Sequence, residues 1–266
     1  MRKPFIAGNW KMYKTASDAL TFIETFLKLV TQAQLDDVDV TLCPAFPVLS
    51  EASRALRRSG ITLGAQDLFW EAEGAFTGEV SAQMLVAAGC KHVIIGHSER
   101  RQHFHETDDT VNKKLKAAIT AGLQPMLCVG ETLSQREDKQ TFTVLERQLQ
   151  QGLAGISEVQ AARLVIAYEP VWAIGTGQVA TPAQVDAAHR MIRQWIAKHV
   201  HPDVAERVRI QYGGSAKPEN ATELLKLPDV DGALVGGASL DPASFARIVG
   251  AARQVKGVQP THVRSS

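Results

Sequence analysis

Glu169 is placed to act as a general base. It follows the apolar run 164–168 and precedes Pro170, which holds the residue before it in an extended conformation. A carboxylate at the edge of an apolar core is partly desolvated, and this strengthens it as a proton acceptor. Taken alone, Glu169 is also consistent with an ion-paired carboxylate on the surface, so the neighbouring residues are needed to distinguish the two roles.

The segment after Glu169 is an apolar loop that ends in small residues, with Pro-Val-Trp-Ala-Ile at 170–174 and Gly-Thr-Gly at 175–177. As a fixed exposed loop it would leave its apolar side chains in water. As a loop that closes over a ligand, it would bury them and exclude water from the reaction. We therefore interpret residues 170–180 as a lid.

His97 lies between the apolar run 92–96 and the polar stretch 98–101, which is suited to starting a helix. The positive end of a helix dipole keeps an imidazole neutral. A neutral imidazole can donate a hydrogen bond to a carbonyl and move a proton between adjacent oxygens. The alternative for His97 alone is a structural histidine.

Lys11 follows the run 5–10, and Asn9 stands two positions before it. Strand alternation places both side chains on one side if the strand continues that far. The ammonium could bind an anionic substrate group, with Asn9 orienting it, although a surface lysine is the alternative. No lysine ends the fifth, sixth or seventh apolar run, which disfavours Schiff-base chemistry.

Two glycine-rich turns follow the last two apolar runs: Gly213-Gly214-Ser215 and Gly236-Gly237. Glycine lets backbone N–H groups approach an anion, and eight-stranded barrels often bind phosphate after strands seven and eight. Either turn alone fits a tight connection, but both together predict a phosphate site. With the base, the imidazole and the cation, this set indicates proton abstraction next to the carbonyl of a small phosphorylated compound.

These residues can form one site only in a fold that brings the carboxyl ends of several strands together. Eight β-rich apolar runs alternate with segments whose apolar residues have helical spacing, and unbroken apolar runs are typical of parallel strands buried on both faces. We predict an α/β fold, a closed eight-stranded parallel (β/α)8 barrel, with an open doubly wound sheet as the alternative. The runs are 5–10, 38–43, 61–66, 92–96, 125–129, 164–168, 208–212 and 232–235, and the clearest helices are 19–30, 110–121, 141–153 and 182–199.

We expect one barrel domain over residues 1–256 and a short polar tail at 257–266. Ser17-Asp18 and Thr181-Pro182 are the predicted helix starts, because Ser and Thr cap helices and Pro suits the first helical position.

Composition excludes several classes of protein. The 266 residues include 29 Lys and Arg against 28 Asp and Glu, a net charge of +1, which argues against a nucleic-acid partner. With a mean hydropathy of −0.09 and no long apolar run, a membrane span is not expected. Cys43, Cys90 and Cys128 are too widely spaced for a zinc or redox motif. We expect reduced packing cysteines in a cytoplasmic protein without a signal peptide.

Six motifs stand in order along the chain: GNWK at 8–11, GAFTGE at 74–79, IIGHSERR at 94–101, AYEPVWAIGTG at 167–177, YGGS at 212–215 and LVGG at 234–237. In this order the chain resembles the triosephosphate isomerase family from residue 5 to about residue 252. The resemblance implies a glycolytic and gluconeogenic isomerase that interconverts dihydroxyacetone phosphate and D-glyceraldehyde 3-phosphate without a cofactor or metal.

The resemblance also implies roles for single residues. Glu169 would remove the α-carbon proton, His97 would be the neutral electrophile, and Lys11, beside Asn9, would stabilise negative charge. Ser98 would support the helix start after His97, and Glu99 would lie near Lys11. Backbone donors to the phosphate would come from Gly175, Ser215, Gly236 and Gly237.

The loop from Gln66 to Glu79 is too long for a plain barrel connection, and such loops are usually functional. The resemblance implies that it enters a pocket of a second subunit, so we expect a homodimer with Phe76 and Thr77 at the loop tip. Asp67 departs from the asparagine that the family very often has there, and it could alter the strength of the interface.

Two other functions remain open at this point. One is a different phosphate-binding barrel, such as an indole- or sugar-phosphate enzyme, which would need other acid–base residues at its strand ends. The other is a catalytically inactive barrel that serves as a scaffold. Such a scaffold would be expected to have lost at least one of Lys11, His97 and Glu169, and all three are present.

Overall fold

The computed structural model describes residues 2–256, and their eight strands form one closed, all-parallel barrel. Each strand pairs with the next along the chain, and β8 pairs back to β1. The predicted (β/α)8 barrel is therefore confirmed. The strands are β1 Phe5–Asn9, β2 Asp39–Cys43, β3 Thr62–Ala65, β4 His92–Ile95, β5 Gln124–Val129, β6 Val165–Tyr168, β7 Arg209–Tyr212 and β8 Gly232–Val235.

Helices surround the barrel, and most strand-to-strand connections contain one or two of them. Each strand coincides with its predicted apolar run to within a residue or two, and so do the ends of most predicted helices. The α-helices are α1 Ala16–Leu29, α2 Gln32–Asp37, α3 Leu49–Ala55, α4 Ala82–Ala87, α5 Ser98–His103, α6 Asp108–Thr120, α7 Leu133–Glu137, α8 Thr141–Gly152, α9 Glu158–Ala161, α10 Pro182–His199, α11 Pro202–Arg207, α12 Pro218–Leu225 and α13 Pro242–Lys256. Short 3-10 helices occupy Phe46–Val48, Val171–Ala173 and Gly237–Leu240.

One of the two predicted helix starts is wrong. Thr181 caps α10 with Pro182 at its first position, as predicted. The cap of α1, however, is Thr15 and not Ser17. The Thr15 hydroxyl accepts from the Asp18 backbone N–H, and the Asp18 carboxylate accepts from the Thr15 N–H at 2.9 Å. This reciprocal pair satisfies two free donors at once, which places Ser17 inside the first turn.

The core has two layers because side chains alternate along each strand. One small cluster fills the barrel, with Phe5, Met126 and Leu234 among its members. The larger cluster packs the outer strand faces against the helices. Cys43 and Cys128 belong to the inner cluster, and all three cysteines are free and buried, in agreement with their predicted packing role.

Parallel strands bring their carboxyl ends to one rim of the barrel, so the loops that follow them share that rim. Within residues 2–256 no helix is long and apolar enough to cross a membrane. The predicted polar tail at 257–266 lies outside the described residues.

Candidate active site

A cavity of about 370 Å³ opens at the carboxyl rim of the barrel. It is lined by residues that follow β1, β4, β6, β7 and β8, so strands distant in sequence build one site. The predicted site residues among its lining are Asn9, Lys11, His97, Gly175, Ser215, Gly236 and Gly237.

Glu169 directly follows β6 and is not among the residues that line this cavity. Only 1% of the residue is exposed. Its Oε2 accepts a hydrogen bond from the Ser98 backbone N–H at 2.8 Å, and its Oε1 lies 3.2 Å from His97 Nε2. The Glu169 carboxylate and the His97 imidazole are therefore neighbours, and the first residue of α5 holds the carboxylate.

Gly213 leaves room for this carboxylate. A Cβ at Gly213 would lie 2.8 Å from Glu169 Cγ and 3.2 Å from the Tyr168 carbonyl oxygen, both closer than carbon atoms normally tolerate. Gly213, which follows β7, thus leaves room for the Glu169 side chain and also lines the cavity.

His97 is the N-cap of α5, and its ring Nδ1 accepts a hydrogen bond from the Glu99 backbone N–H at 3.2 Å. A backbone N–H can only donate, so Nδ1 carries a lone pair and the ring proton resides on Nε2. His97 is therefore a neutral imidazole, and its Nε2 lies close to Glu169 Oε1, a buried oxygen that accepts no hydrogen bond within the described residues. The predicted start of a helix after His97 is confirmed, and it is this start that fixes the tautomer.

Lys11 has a left-handed backbone, with φ of 51°, which is uncommon for a residue with a side chain. Two side chains hold it: Asn9 Oδ1 accepts from the Lys11 N–H at 3.0 Å, and Gln66 Nε2 donates to the Lys11 carbonyl at 2.9 Å. Gln66 also donates to the Cys43 carbonyl at 2.8 Å. Sequence reasoning missed Gln66, although it directly follows β3 and so obeys the strand-end rule.

The Lys11 ammonium forms an ion pair with the Glu99 carboxylate. Its stem runs beside Gly236, where a Cβ would lie 3.5 Å from Lys11 Cε. The cation is therefore held between the His97 helix and the glycine pair that follows β8.

The other end of the cavity is built from backbone. A Cβ at Gly175 or Gly237 would meet nothing within 4 Å, so both glycines face open space. Gly237 begins the 3-10 helix Gly237–Leu240, whose first N–H groups lack partners within the helix. The Ser215 carbonyl accepts from Asn220 Nδ2 at 2.9 Å, which fixes the turn after β7. Exposed backbone donors of this kind suit an anion.

The segment 170–180, predicted to be a lid, contains the 3-10 helix Val171–Ala173 near its start, and its residues 175–179 are exposed. Its root is held by Glu131, a fully buried residue that the sequence reasoning missed. Glu131 accepts from Trp172 Nε1 at 2.9 Å and from the Tyr168 hydroxyl at 3.2 Å, and it pairs with Arg136 at 3.1 Å. Burial, and then the Glu131 charge, raise the pKa of Tyr168. Glu131 lies two residues beyond β5, so strand-end position was again the available signal.

A buried ionic cluster lies behind the site at the root of the 66–79 loop. Asp67 pairs with Lys114 at 2.6 Å and with Arg100 at 2.8 Å, and Glu106 pairs with the same two cations. Burial raises the pKa of Asp67 to about 6, with the charge of Glu106 adding to the rise against the two cations. Burial opposes ionisation of Glu106 too, but Lys114 and Arg100 outweigh it and lower its pKa.

Cys128 adds a neutral thiol next to the base. Burial, and then the charge of Glu169, raise the pKa of Cys128 well above its ordinary value. Among residues 2–256, no three His, Cys, Asp or Glu side chains are grouped so that they could hold a metal ion.

Fold and site together define a barrel enzyme of acid–base chemistry, with a buried carboxylate and a neutral imidazole under a cavity suited to a small anion. The sequence model of the triosephosphate isomerase family matches residues 4–252. The chain belongs to the triosephosphate isomerase family.

Similar curated proteins carry that name. The chain is 56% identical over 249 residues to the triosephosphate isomerase of Geobacter metallireducens, covering 94% of this chain and 98% of that protein. Over the same length and coverage it is 57% identical to the triosephosphate isomerase of Citrifermentans bemidjiense and 55% identical to that of Carboxydothermus hydrogenoformans.

Proposed function

We propose that this protein interconverts dihydroxyacetone phosphate and D-glyceraldehyde 3-phosphate through an enediolate intermediate. Family membership supports the reaction. The observation that carries the mechanism is the buried Glu169 carboxylate 3.2 Å from the Nε2 of a neutral His97. Moving a hydrogen between adjacent carbons needs a base for carbon and a proton donor for oxygen, and these two groups supply both.

In the proposed mechanism, Glu169 removes the proton from the carbon next to the carbonyl. The Nε2–H of His97 donates to the carbonyl oxygen as negative charge develops there, and His97 takes a proton from the adjacent hydroxyl in exchange. Glu169 then returns its proton to the neighbouring carbon, which completes the isomerisation. Lys11 stabilises that charge from the cavity wall, and Asn9 holds the Lys11 backbone in place. No step needs a cofactor or metal.

Glu169 has to move before it can act, because it does not line the cavity. Its backbone continues through Pro170 into the lid, so closing the lid can swing the carboxylate from Ser98 toward substrate. The Trp172–Glu131 hydrogen bond holds the lid root in the present conformation. Closure would also exclude water and keep the enediolate from expelling its phosphate.

The phosphate would lie at the glycine-lined end of the cavity. Gly175, Ser215, Gly236 and Gly237 would donate from their backbone N–H groups, which carry partial positive charge and suit a dianion. Glu99 would keep Lys11 extended through their ion pair.

We also propose that the protein is a homodimer assembled through residues 66–79 and resides in the cytoplasm. Three apolar side chains support an interface, since Met12 is 93% exposed, Phe104 63% and Phe76, at the loop tip beside Thr77, 43%. Free, buried thiols suit a reducing compartment. A fully active monomer in sedimentation experiments would refute the dimer.

A coupled assay of triose-phosphate isomerisation tests the reaction, with both directions followed separately. Rapid turnover of both substrates is expected. Absence of turnover by folded wild-type protein would refute the proposed function.

A further inference from the structure

Two lysines line the substrate cavity, and they differ in how their charge is compensated. Lys11 pairs with Glu99. Lys217 is exposed and makes no ion pair with any carboxylate in the described part of the chain. The nearest acidic residue on its own helix, Glu219, pairs with Arg247 at 3.3 Å. Lys217 therefore presents an uncompensated positive charge to the cavity.

The backbone of Lys217 is held near the glycine-lined end of the cavity. Lys217 follows Ser215 by two residues, and its N–H donates to Asn220 Oδ1 at 2.8 Å. Asn220 in turn donates to the Ser215 carbonyl at 2.9 Å, so one side chain ties the cavity wall to the residue that bears the charge. α12 begins at the next residue, and the positive end of its dipole adds to the same field.

The remainder of the molecule supplies little long-range attraction for an anion, because its net charge is +1. A local cation at a cleft can concentrate anions there even when the protein as a whole is neutral. Such a charge accelerates encounter without altering the bonds made in the transition state, so it acts on kcat/KM.

We propose that Lys217 captures the phosphorylated substrate, drawing the phosphate dianion to the glycine-lined end of the cavity before the lid closes. This inference rests on the proposed function. Lys217 is a positioning residue for encounter and takes no part in proton transfer. It makes the enzyme selective for phosphorylated over neutral trioses at the stage of binding.

The test compares Lys217→Gln with Lys226→Gln, a matched control at the opposite end of α12. Lys226 is also exposed, lies outside the cavity and changes the net charge equally. At about 10 mM ionic strength, Lys217→Gln is expected to lower kcat/KM for D-glyceraldehyde 3-phosphate by about 3- to 10-fold with kcat nearly unchanged. At about 0.5 M the difference should shrink below about 2-fold, because the Debye length falls to a few Å.

Further variants and a second substrate test whether the effect depends on the charge at position 217 and on the phosphate of the substrate. Lys217→Arg should keep the rate, Lys217→Glu should lower it more than Lys217→Gln, and Lys226→Gln should leave it unchanged. Turnover of D-glyceraldehyde, which lacks the phosphate, should be the same in all of them.

The proposal is wrong if kcat/KM of Lys217→Gln equals that of Lys226→Gln at low salt. It is equally wrong if the loss persists at high salt, falls on kcat or extends to D-glyceraldehyde. Failure of the proposed function is a separate result, in which wild-type protein does not isomerise either triose phosphate.

Discussion

The Glu169 carboxylate accepts a hydrogen bond from the backbone N–H of Ser98 at 2.8 Å. Ser98 is the first residue of α5, and His97 is its N-cap, so one helix start holds the Glu169 carboxylate and fixes the His97 imidazole beside it. The positive end of a helix stabilises a carboxylate, which makes this a favourable resting position. In the proposed mechanism, Glu169 leaves this position to act as the base.

Replacing Glu169 by Gln should separate catalysis from binding. An amide oxygen can still accept from Ser98, so the fold and the cavity should be preserved while the base is lost. We expect kcat to fall by about 10²- to 10⁴-fold. The affinity for a phosphorylated, unreactive analogue, measured by calorimetry, should stay within a few-fold of wild type. An equal loss of both would mean that Glu169 mainly organises the site.

Adding one methyl group at Gly213 should displace the base. The new Cβ of Gly213→Ala would lie 2.8 Å from Glu169 Cγ. We expect a loss of stability of about 1–3 kcal/mol, since overpacking forces neighbours to shift, together with a clear fall in kcat. Gly152→Ala in α8 is the control, because its Cβ would make only an ordinary 3.5 Å contact with Leu127. Wild-type kcat in Gly213→Ala would show that the base does not depend on this space.

Two histidines should have opposite neutral tautomers. His97 Nδ1 accepts from Glu99 N–H, which leaves the proton on Nε2. The Nδ1 of His189 lies 3.1 Å from the Asp229 carbonyl oxygen, which can only accept, so its proton is on Nδ1. Nitrogen-15 NMR of the imidazoles near neutral pH distinguishes the two forms. An imidazolium pattern for His97, or the same tautomer for both rings, would contradict the geometry.

Buried neutral histidines should make the fold sensitive to acid. Burial lowers the pKa of His189 to about 4, and burial also lowers the pKa of His92 to about 4. The unfolded chain then binds protons more tightly, so stability is present above pH ~6.5 and falls as the pH drops toward ~4, by about 2 kcal/mol per histidine at pH ~5. Urea unfolding of wild type and His189→Gln checks this. The variant should lose less stability between pH ~7 and ~5, and an identical loss would contradict the assignment.

Asp67 should give the opposite pH dependence of stability from the two buried histidines. Burial raises its pKa from 3.8 to about 6, so the folded state binds this proton more tightly than the unfolded chain does. Its contribution to stability is therefore fullest below its ordinary pKa and declines as the pH rises through about 6. Asp67→Asn removes the ionisation and should flatten that part of the stability profile by about 2–3 kcal/mol in urea unfolding. Asp109→Asn, at an exposed ion pair, is the control. An unchanged profile in Asp67→Asn would show that the Asp67 carboxyl does not titrate there.

Strand ends account for much of what the sequence predicted. Lys11, His97 and the glycine turns directly follow apolar runs, and a parallel barrel has to bring those positions together. Gln66 and Glu131 follow the same rule, but a single glutamine or glutamate carries no distinctive chemistry until its partners are known. The pair Asp67–Lys114 joins positions 47 apart on different elements, so no local pattern indicates it. At α1, the pattern Thr15-x-x-Asp18 is a capping box in the sequence, and it indicates Thr15 as the helix cap more directly than Ser17.

The pairing of β8 with β1 also means that the barrel can close only late in synthesis of the chain. Phe5 pairs with Gly232, so β1, the first of the eight strands to be synthesised, has an open edge until β8 has been made. Gly236 and Gly237 follow that last strand. A nascent chain that already contains Glu169, His97 and Lys11 therefore still lacks one wall of the cavity at the carboxyl rim. Isomerase activity should accordingly arise in one late step, when the final strand closes the ring.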